Sequence, residues 1–246
     1  MRIFLTGGTG YLGSAIARAL AAAGHAVTAL ARSEASAARV PNAHRGDLRD
    51  PLTYRDVALQ HDAIIHAGIE GGGNRLDVDR IVVEALRGRT LIYTSTLFVL
   101  GNVDGGDETA TAQGPRAETE RLVLDAGGAV VRPGMIIDAE SWMLTDPLII
   151  DGGTNRWPIV HRDDIAQLYR LIAEQQARGI FHGVCRVVRA RDLTPNPRNL
   201  SLEEARTVMG GFADLLALDQ NVIAKRAQTL GWRCGQQTTP YVPSVR

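Results

Sequence analysis

The stretch that decides the fold is residues 1–33, MRIFLTGGTGYLGSAIARALAAAGHAVTALARS. Ile3–Thr6 is a short apolar run typical of a buried strand, and Ala26–Ala31 is a second one. Between them, Ser14–Ala23 places its apolar residues on one helical face, and Gly24 ends the pattern. A strand, a helix and a strand in this order predict a β-α-β unit with parallel strands.

A glycine-rich turn joins the first strand to the helix. Gly7 permits the tight turn, Gly10 lets the main chain approach a pyrophosphate, and Gly13 lets the helix and the strand pack closely. The helix N-terminus adds free N–H groups and a partial positive charge. The spacing therefore predicts a dinucleotide-binding turn; the alternative is a turn whose glycines serve only the backbone. The binding residues of this turn would be Gly7, Thr9, Gly10, Tyr11, Leu12 and Gly13.

The residues after the second strand indicate which dinucleotide is bound. An acidic residue here holds the ribose 2′-hydroxyl of NAD, whereas arginine suits the 2′-phosphate of NADP. The strand is followed by Arg32 and Ser33, and both side chains donate hydrogen bonds to phosphate oxygens. NADP is therefore favoured over NAD. The alternative is a solvated surface arginine, because Lys225 is the only lysine and arginine is abundant in this chain.

Strand-like and helical stretches continue to alternate beyond residue 33. Further buried strands are predicted at Ala63–Ala67, Thr90–Ser95 and Ala129–Arg132. Helices are predicted at Glu118–Ala126, Asp164–Gln176, Leu202–Met209 and Val222–Leu230, and a loop at residues 190–199. The pattern predicts an α/β fold, a Rossmann-type doubly wound parallel sheet with a small, reduced C-terminal substrate lobe. Residues 1–132 and 155–176 would form the NADP-binding domain, and residues 133–154 and 177–246 the lobe.

Composition indicates which classes of partner and which cellular compartment to expect. The 27 basic and 27 acidic residues balance, so no net field favours nucleic acid or an anionic membrane. No apolar run approaches the roughly 20 residues of a membrane span, and the chain starts with a strand-like run instead of a signal peptide. Cys185 and Cys234 lack metal-ligand spacing and are expected to be free thiols. These features predict a cytoplasmic protein without a metal site, whose partner is a small-molecule substrate.

Several motifs together resemble the short-chain dehydrogenase/reductase superfamily, in its extended and atypical NAD(P)-dependent epimerase/dehydratase branch. They are TGGTGYLGSAIARAL at 6–20, GDLRD at 46–50, DAIIHAG at 62–68, IYTST at 92–96, VRPG at 131–134, VHRDDIA at 160–166 and LGW at 230–232. The resemblance covers nearly the whole chain and implies a helix-mediated homodimer. It also implies further cofactor contacts, with the adenine, the phosphates and ribose, and the nicotinamide. Asp47 and Leu48 would contact the adenine, and Ala67 and Gly68 the phosphates and ribose. The nicotinamide would be contacted by Pro133, Gly134 and Met135.

The family's catalytic residues are only partly present. The resemblance implies a serine or threonine after the strand at Tyr93–Ser95, which is Thr96, and a tyrosine four residues before a lysine. In the stretch AQGPRAETE, Arg116 stands at the lysine position and Ala112 at the tyrosine position. Alanine transfers no proton, and arginine keeps the positive charge without relaying protons. Two alternatives remain: Arg116 as a surface cation paired with Glu120, and Thr96 as an ordinary hydroxyl at a strand end.

By the resemblance, the region between the VRPG motif and Asn155 is expected to be shorter than in other family members, and part of the substrate-binding cap to be absent. Three side chains are eligible to replace the missing tyrosine: Asp138, Glu140 and His161. His161 is expected to fix the start of the following helix. The two acids either line the mouth of the pocket or are solvated in a loop.

Three functions are compatible with these residues. The leading hypothesis is an NADP-dependent oxidoreductase of the epimerase/dehydratase type, acting on a small organic molecule, with Thr96 and Arg116 as its catalytic residues and Thr96 polarising a carbonyl. The second is a redox-neutral cyclase, isomerase or lyase that uses the same pocket. The third is a non-catalytic NADP-binding sensor or scaffold.

Overall fold

The first 31 residues fold as the strand, helix and strand that the sequence predicts. The computed structural model describes residues 1–68, 75–86, 91–139, 141, 143 and 146–235. Strand β1 spans Arg2–Thr6, helix α1 Tyr11–Ala22 and strand β2 Ala26–Ala31. Helix α1 begins three residues earlier than expected, because the carbonyl of Gly10 already accepts a hydrogen bond from the amide of Ser14 (3.0 Å).

A seven-stranded parallel sheet forms the centre of the molecule. The strands that follow β2 are β3 Ala43–Arg45, β4 Ala63–His66, β5 Leu91–Thr94, β6 Val103–Gly106, β7 Ala129–Pro133, β8 Met135–Ile137, β9 Leu148–Ile150, β10 Arg156–His161, β11 Gly179–Gly183, β12 Arg186–Arg189, β13 Arg198–Leu200 and β14 Gln220–Val222. The strand order in the central sheet is β11-β7-β5-β4-β1-β2-β3, and all neighbours are parallel. From β1 to β3 each new strand is added on one side of β1, whereas β4 is added on the other side, so the strand order reverses after β3. The prediction of a Rossmann-type doubly wound sheet is confirmed.

Helices cover both faces of this sheet. After α1 come α2 Glu34–Ala37, α3 Arg55–Ala58, α4 Arg75–Ala85, α5 Pro115–Asp125, α6 Arg162–Glu174, α7 Leu202–Met209, α8 Phe212–Leu216 and α9 Lys225–Thr229. Helices α1 and α6 pack against one face of the sheet, where they contact the side chains of Ile3 and Leu5 of β1. Helices α4 and α5 pack against the other face, to which Phe4 of β1 points. This alternation is the two-residue period of a strand buried on both sides. None of the described helices is long and apolar enough to cross a membrane.

Short strands and two helices build the smaller lobe. Its three-stranded sheet has the order β12-β10-β8, and β13 pairs with β9 and β14 with β6. The lobe has its own apolar core, in which Trp157 and Ile159 of β10 pack with Leu216 of α8. The indole N–H of Trp157 also donates to the carbonyl of Leu216 (2.9 Å), so the sheet and the helix are joined by a buried hydrogen bond.

Several segments differ from the predicted secondary structure and division, and the stretch predicted as a loop at 190–199 contains a 3-10 turn at Ala190–Asp192 and the start of β13. Strand β11, expected in the lobe, is the edge strand of the central sheet, where it pairs with β7 over its whole length. The helix predicted at Val222–Leu230 is shorter, because the amide of Ile223 donates to the carbonyl of Gly106 (2.8 Å) and keeps the chain extended beside β6. Helix α7 has the bounds that the sequence predicts.

The prediction of two free thiols is wrong in this structure. Cys185 and Cys234 form a disulfide, with their Cα atoms 5.7 Å apart. Trp232 explains their approach: its ring is buried in the core beside α6, and its indole N–H donates to the carbonyl of Asp164 (2.8 Å). The packing of this tryptophan brings Cys234 next to the segment that follows β11.

Candidate functional site

A cavity of about 1010 Å³ opens at the carboxyl ends of the sheet strands. Its lining comes from the turns that follow β1, β2, β3, β4, β5 and β7, together with Arg116 of α5 and residues of the lobe. Ligands of doubly wound sheets bind at this edge, beside the point where the strand order reverses. The volume is at the upper end of the range for ligand pockets, which suits a dinucleotide together with a second small molecule.

The glycine turn is closely packed and leaves the first amides of α1 without a side-chain cap. Gly7 has φ +74°, and a Cβ there would lie 2.6 Å from the backbone of Gly68. A Cβ on Gly13 would overlap the carbonyl oxygen of Gly7, so the helix packs on the turn only with glycine at this position. Helix α1 has neither a side-chain cap nor an acidic residue in its first turn. Its first amides are therefore available to an anion in the cavity.

All but one of the residues predicted to bind the cofactor line this cavity. They are Gly7, Thr9, Gly10, Tyr11, Leu12, Gly13, Arg32, Ser33, Leu48, Ala67, Gly68, Pro133, Gly134 and Met135. Asp47 is the exception: its carboxylate accepts a hydrogen bond from the amide of Arg49 (2.9 Å) and shapes the turn, while its neighbour Leu48 lines the cavity. The ligand atoms that each residue would contact stay a prediction.

The end of β2 supplies a guanidinium and hydroxyl groups. Ser33 caps the short helix α2, where its hydroxyl accepts from the amide of Ser36 (3.1 Å), and Ser36 also lines the cavity. Arg39 donates to the carbonyl of Thr9 (3.0 Å) and so ties this segment to the glycine turn. The cavity lining contains no acidic residue within the described part of the chain. A phosphate at this end would meet the guanidinium of Arg32 and the hydroxyls of Ser33 and Ser36.

Thr96 lies in the cavity wall directly after β5 and caps a turn. Its side-chain oxygen accepts a hydrogen bond from the amide of Phe98 (3.2 Å), at the start of the 3-10 turn Leu97–Leu100. This bond fixes the position of the oxygen and leaves the hydroxyl hydrogen available, since none of the described residues accepts it. Thr96 can therefore act as a positioned donor towards a ligand oxygen.

Arg116 also lines the cavity, but its partners differ from the predicted alternative. Its guanidinium pairs with Asp79 of α4 (3.2 Å) and donates to the hydroxyl of Tyr93 (3.1 Å) and to the carbonyl of Thr94 (3.3 Å). Glu120, the expected i+4 partner, instead pairs with Arg132. Arg116 is thus a partly buried cation held in place by an acid, and not a solvated surface residue.

A chain of buried polar groups continues from Arg116 into the sheet. Asp79, only 3% exposed, accepts from the hydroxyl of Tyr93 (2.9 Å) and lies 3.3 Å from Nε2 of His66. Nδ1 of His66 forms a 2.6 Å hydrogen bond with the hydroxyl of Thr6. Burial, followed by the negative charge of Asp79, raises the pKa of Tyr93 well above its ordinary value, although the positive charge of Arg116 opposes this shift. Tyr93 therefore stays protonated at neutral pH and does not replace the missing tyrosine as a titrating group.

The remaining sequence candidates do not fill the tyrosine position either. Ala112 packs against the apolar core and lies outside the cavity lining. The carboxylate of Asp138 is buried, accepts from the hydroxyl of Tyr11 (2.7 Å) and pairs with Arg162 (2.6 Å). His161 is the N-cap of α6, where its Nδ1 accepts from an amide. Glu140 lies outside the described residues.

Sequence reasoning missed the apolar side of the cavity. These lining residues come from the turn after β5, the lobe sheet, the segment between β8 and β9, and α8: Leu97, Phe98, Ile136, Met143, Pro158, Phe212 and Leu215. They are scattered over more than a hundred residues of sequence and carry no shared motif. Only the folded lobe brings them to one surface.

Comparisons with known proteins agree with this geometry. A model of the NAD dependent epimerase/dehydratase family matches residues 3–120. An uncharacterized protein of Schizosaccharomyces pombe is 32% identical, over 95% of each chain. The 2-alkyl-3-oxoalkanoate reductase of Stenotrophomonas maltophilia is 29% identical, over 73% of this chain and 67% of that protein.

Solved structures share the fold at low sequence identity. The human epimerase family protein SDR39U1, solved with NADPH, superposes with a TM-score of 0.76 at 17% identity, over 96% of this chain and 95% of the other. The UDP-glucose 4-epimerase of Thermus thermophilus, solved with NAD, superposes with a TM-score of 0.75 at 18% identity, over 97% and 96%. The shared architecture accommodates either dinucleotide in those proteins.

Proposed function

Because the chain belongs to the NAD dependent epimerase/dehydratase family and is an NAD(P)-dependent oxidoreductase-like enzyme, we propose that it reduces a carbonyl group of a small organic molecule with NADPH. The observation that carries this proposal is the meeting of the glycine turn, Arg32 and Thr96 in one cavity. The similarity to a curated reductase supports the direction of the chemistry.

The residues present fit the cofactor. In the glycine turn, Gly7 packs against Gly68 and Gly13 against Gly7 too closely for a Cβ, and the N-terminus of α1, which has no side-chain cap, suits a pyrophosphate. At the other end of the cofactor, Arg32, Ser33 and Ser36 would hold the 2′-phosphate. This donor set is the reason to propose NADP instead of NAD, since an acid in place of Arg32 would favour the free ribose hydroxyl.

Thr96 would act on the substrate. With its oxygen held by the amide of Phe98, the hydroxyl donates to the substrate's carbonyl oxygen and polarises the carbonyl. When bound, the reduced nicotinamide supplies a hydride to the carbonyl carbon. The carbonyl oxygen takes a proton from water, so that the products are an alcohol and NADP⁺. Arg116, held by Asp79, contributes a fixed positive charge beside this site and transfers no proton.

The experiment compares Thr96→Val with Thr96→Ser. We expect the valine variant to lose roughly 100-fold to 1000-fold in kcat, as when one donor to a developing oxyanion is removed. The serine variant keeps a hydroxyl and should stay within about tenfold of the wild type. The readout is the ultraviolet absorbance of NADPH during reduction of a panel of ketones. Equal rates for both variants would exclude Thr96 as the donor, and no NADPH consumption with any carbonyl would exclude a reductase.

A further inference from the structure

Two sulfur atoms and a carboxylate meet where α6 begins. Asp164 belongs to the first turn of α6, Cys185 follows β11, and Cys234 lies two residues after Trp232. One oxygen of Asp164 and the two sulfur atoms all lie within 4.8 Å of one another. We call these three residues the sulfur site. Sequence spacing does not show it, because Cys185 is 21 residues from Asp164 and 49 residues from Cys234.

The carboxylate of Asp164 has one oxygen that is available to a ligand. Its Oδ1 accepts a hydrogen bond from the amide of Gly235 (2.8 Å). Its Oδ2 receives no N–H or O–H donor from the residues that the structure describes, and lies 3.8 Å from Sγ of Cys185. In the disulfide this sulfur carries no hydrogen, so the contact is not a hydrogen bond. A cation that binds both oxygen and sulfur can join these two atoms.

The residues of the sulfur site are held by contacts that do not require the disulfide. The amide of Cys185 donates to the carbonyl of Ile159 in β10 (2.9 Å). Trp232 is only 2% exposed, and its indole N–H donates to the main-chain carbonyl of Asp164 (2.8 Å). The residue after Cys234 donates its amide to the Asp164 side chain, so Cys234 lies between two anchors. Reduction of the disulfide therefore leaves both thiols beside the carboxylate.

The distances suit Zn²⁺ once the two sulfur atoms separate. Zinc lies about 2.3 Å from a thiolate sulfur and about 2.1 Å from a carboxylate oxygen, so a tetrahedral site places the sulfur atoms about 3.8 Å apart and each about 3.6 Å from the oxygen. The 3.8 Å between Oδ2 of Asp164 and Sγ of Cys185 is close to the second value. Two thiolates also favour zinc over Mg²⁺ and Ca²⁺, which prefer oxygen ligands.

We propose that the dithiol form of Cys185 and Cys234 binds Zn²⁺ together with Asp164, and that the metal then replaces the disulfide as the link between the C-terminal segment and the segment after β11. A dithiol reductant supplies two electrons and two protons to the disulfide and is itself oxidised to a disulfide. Each thiol then releases its proton to water as its sulfur binds the zinc. Both states use the same sulfur atoms and exclude each other. This inference does not depend on the proposed carbonyl reduction.

The first test titrates the full chain with Zn²⁺ by isothermal titration calorimetry. The protein is reduced with dithiothreitol and desalted under nitrogen. We expect the reduced wild type to bind one Zn²⁺ per chain, and the oxidised wild type to bind it roughly 100-fold more weakly, because its sulfur atoms are no longer thiolate ligands. Equal affinities of the two forms would place the metal elsewhere and overturn the inference, as would a reduced form that binds no zinc.

A matched pair of variants tests the carboxylate. Asp164→Asn keeps an oxygen for the amide of Gly235 but removes the negative charge, and should weaken Zn²⁺ binding to the reduced protein by roughly tenfold or more. Asp163 is the preceding residue of the same helical turn, is exposed and pairs with Arg18 (3.4 Å), so Asp163→Asn should leave the affinity nearly unchanged. The same loss in both variants, or no loss in either, would exclude Asp164 as a ligand.

Unfolding in urea tests whether the metal links the folded chain. Zn²⁺ should raise the urea midpoint of the reduced wild type, since only the folded chain brings the three ligands together. The variant Cys185→Ser with Cys234→Ser should show no such rise. Zinc binding without a change in the midpoint would mean that the unfolded chain binds the metal equally well, and would overturn the proposed link. A rise of equal size in the double variant would show that the sulfur site does not hold the metal.

Discussion

Arg32 is the single side chain on which the cofactor assignment depends. It follows β2 in the cavity wall, beside the hydroxyls of Ser33 and Ser36. A guanidinium in this position recognises a phosphate by charge and by geometry. The ribose 2′-hydroxyl of NAD has neither the negative charge nor the geometry of a phosphate.

We expect Arg32→Ala to weaken NADP⁺ binding by about 1.5–3 kcal/mol, the typical contribution of a hydrogen bond to a charged group, and to leave NAD⁺ binding nearly unchanged. Isothermal titration calorimetry with both cofactors measures the difference. Arg80→Ala is the matched control, because Arg80 is exposed on α4, pairs with Glu84 and lies outside the cavity lining. An equal loss for both cofactors would mean that Arg32 supports the fold instead.

His182 makes stability depend on pH. It is completely buried in β11, where its Nδ1–H donates to the carbonyl of Ile223 (3.1 Å). Burial, together with the positive charge of Arg132, lowers the pKa of His182, although the charge of Glu108 opposes this shift. The folded protein therefore holds this imidazole neutral at a pH where the unfolded chain, with a pKa near 6.5, binds a proton.

The contribution of His182 is thus fully present above about pH 6.5 and is lost as the pH falls towards its folded pKa. We expect the free energy of unfolding to decrease in this window, by a slope that approaches about 1.4 kcal/mol per pH unit. Urea unfolding of the wild type and of His182→Gln at pH 7.5, 6 and 5 provides the test. Parallel curves for the two proteins would contradict the assignment.

Helix α5 connects the cavity to the sheet through two ion pairs. Arg116, near its start, pairs with Asp79 of α4, and Glu120, one turn later, pairs with Arg132 of β7 at 2.6 Å. The carboxylate of Glu120 also accepts from the hydroxyl of Ser95, next to Thr96. The helix therefore fixes both the charge at Arg116 and the end of β5 that carries Thr96.

Removing one charge of the buried pair between Glu120 and Arg132 should lower the free energy of unfolding. Both side chains are 2% exposed, so Glu120→Gln leaves the guanidinium of Arg132 without its counter-charge and should cost about 3–5 kcal/mol. The double variant Glu120→Leu with Arg132→Met removes both charges and should recover most of this loss. Equilibrium unfolding in urea gives the free energy of unfolding of the wild type, of Glu120→Gln and of the double variant. A double variant as unstable as Glu120→Gln would show that the cost is steric and not electrostatic.

The disulfide joins two distant parts of the chain. It closes a loop with a sequence separation of 49 residues, from the segment after β11 to the segment after Trp232. Such a crosslink restricts the unfolded chain and typically contributes about 2–4 kcal/mol. We expect Cys185→Ser with Cys234→Ser to lower the free energy of unfolding by this amount. A reductant should destabilise the wild type equally and leave the double variant unchanged; an unaffected wild type would mean that the bond does not form.

Local patterns were enough to predict the fold. The alternation of apolar runs with helical stretches gives the parallel sheet, and the spacing of Gly7, Gly10 and Gly13 places a dinucleotide turn before α1. Both signals are contained in short windows, because the periods of strands and helices and the steric demands of glycine act between near neighbours. For the same reason Thr96 and Arg32, which stand directly after strands, were predicted to lie at the ligand-binding edge.

Contacts between distant residues were decided only by the tertiary structure. Four features join segments that are far apart in sequence. They are the pairing of Arg116 with Asp79, the apolar side of the cavity, the place of β11 in the central sheet and the disulfide. No local period encodes such pairs, since they form only when helices and strands pack on one core. The sequence by itself therefore determined the architecture and the cofactor turn, whereas packing decided which charges are paired and which surface is left for the substrate.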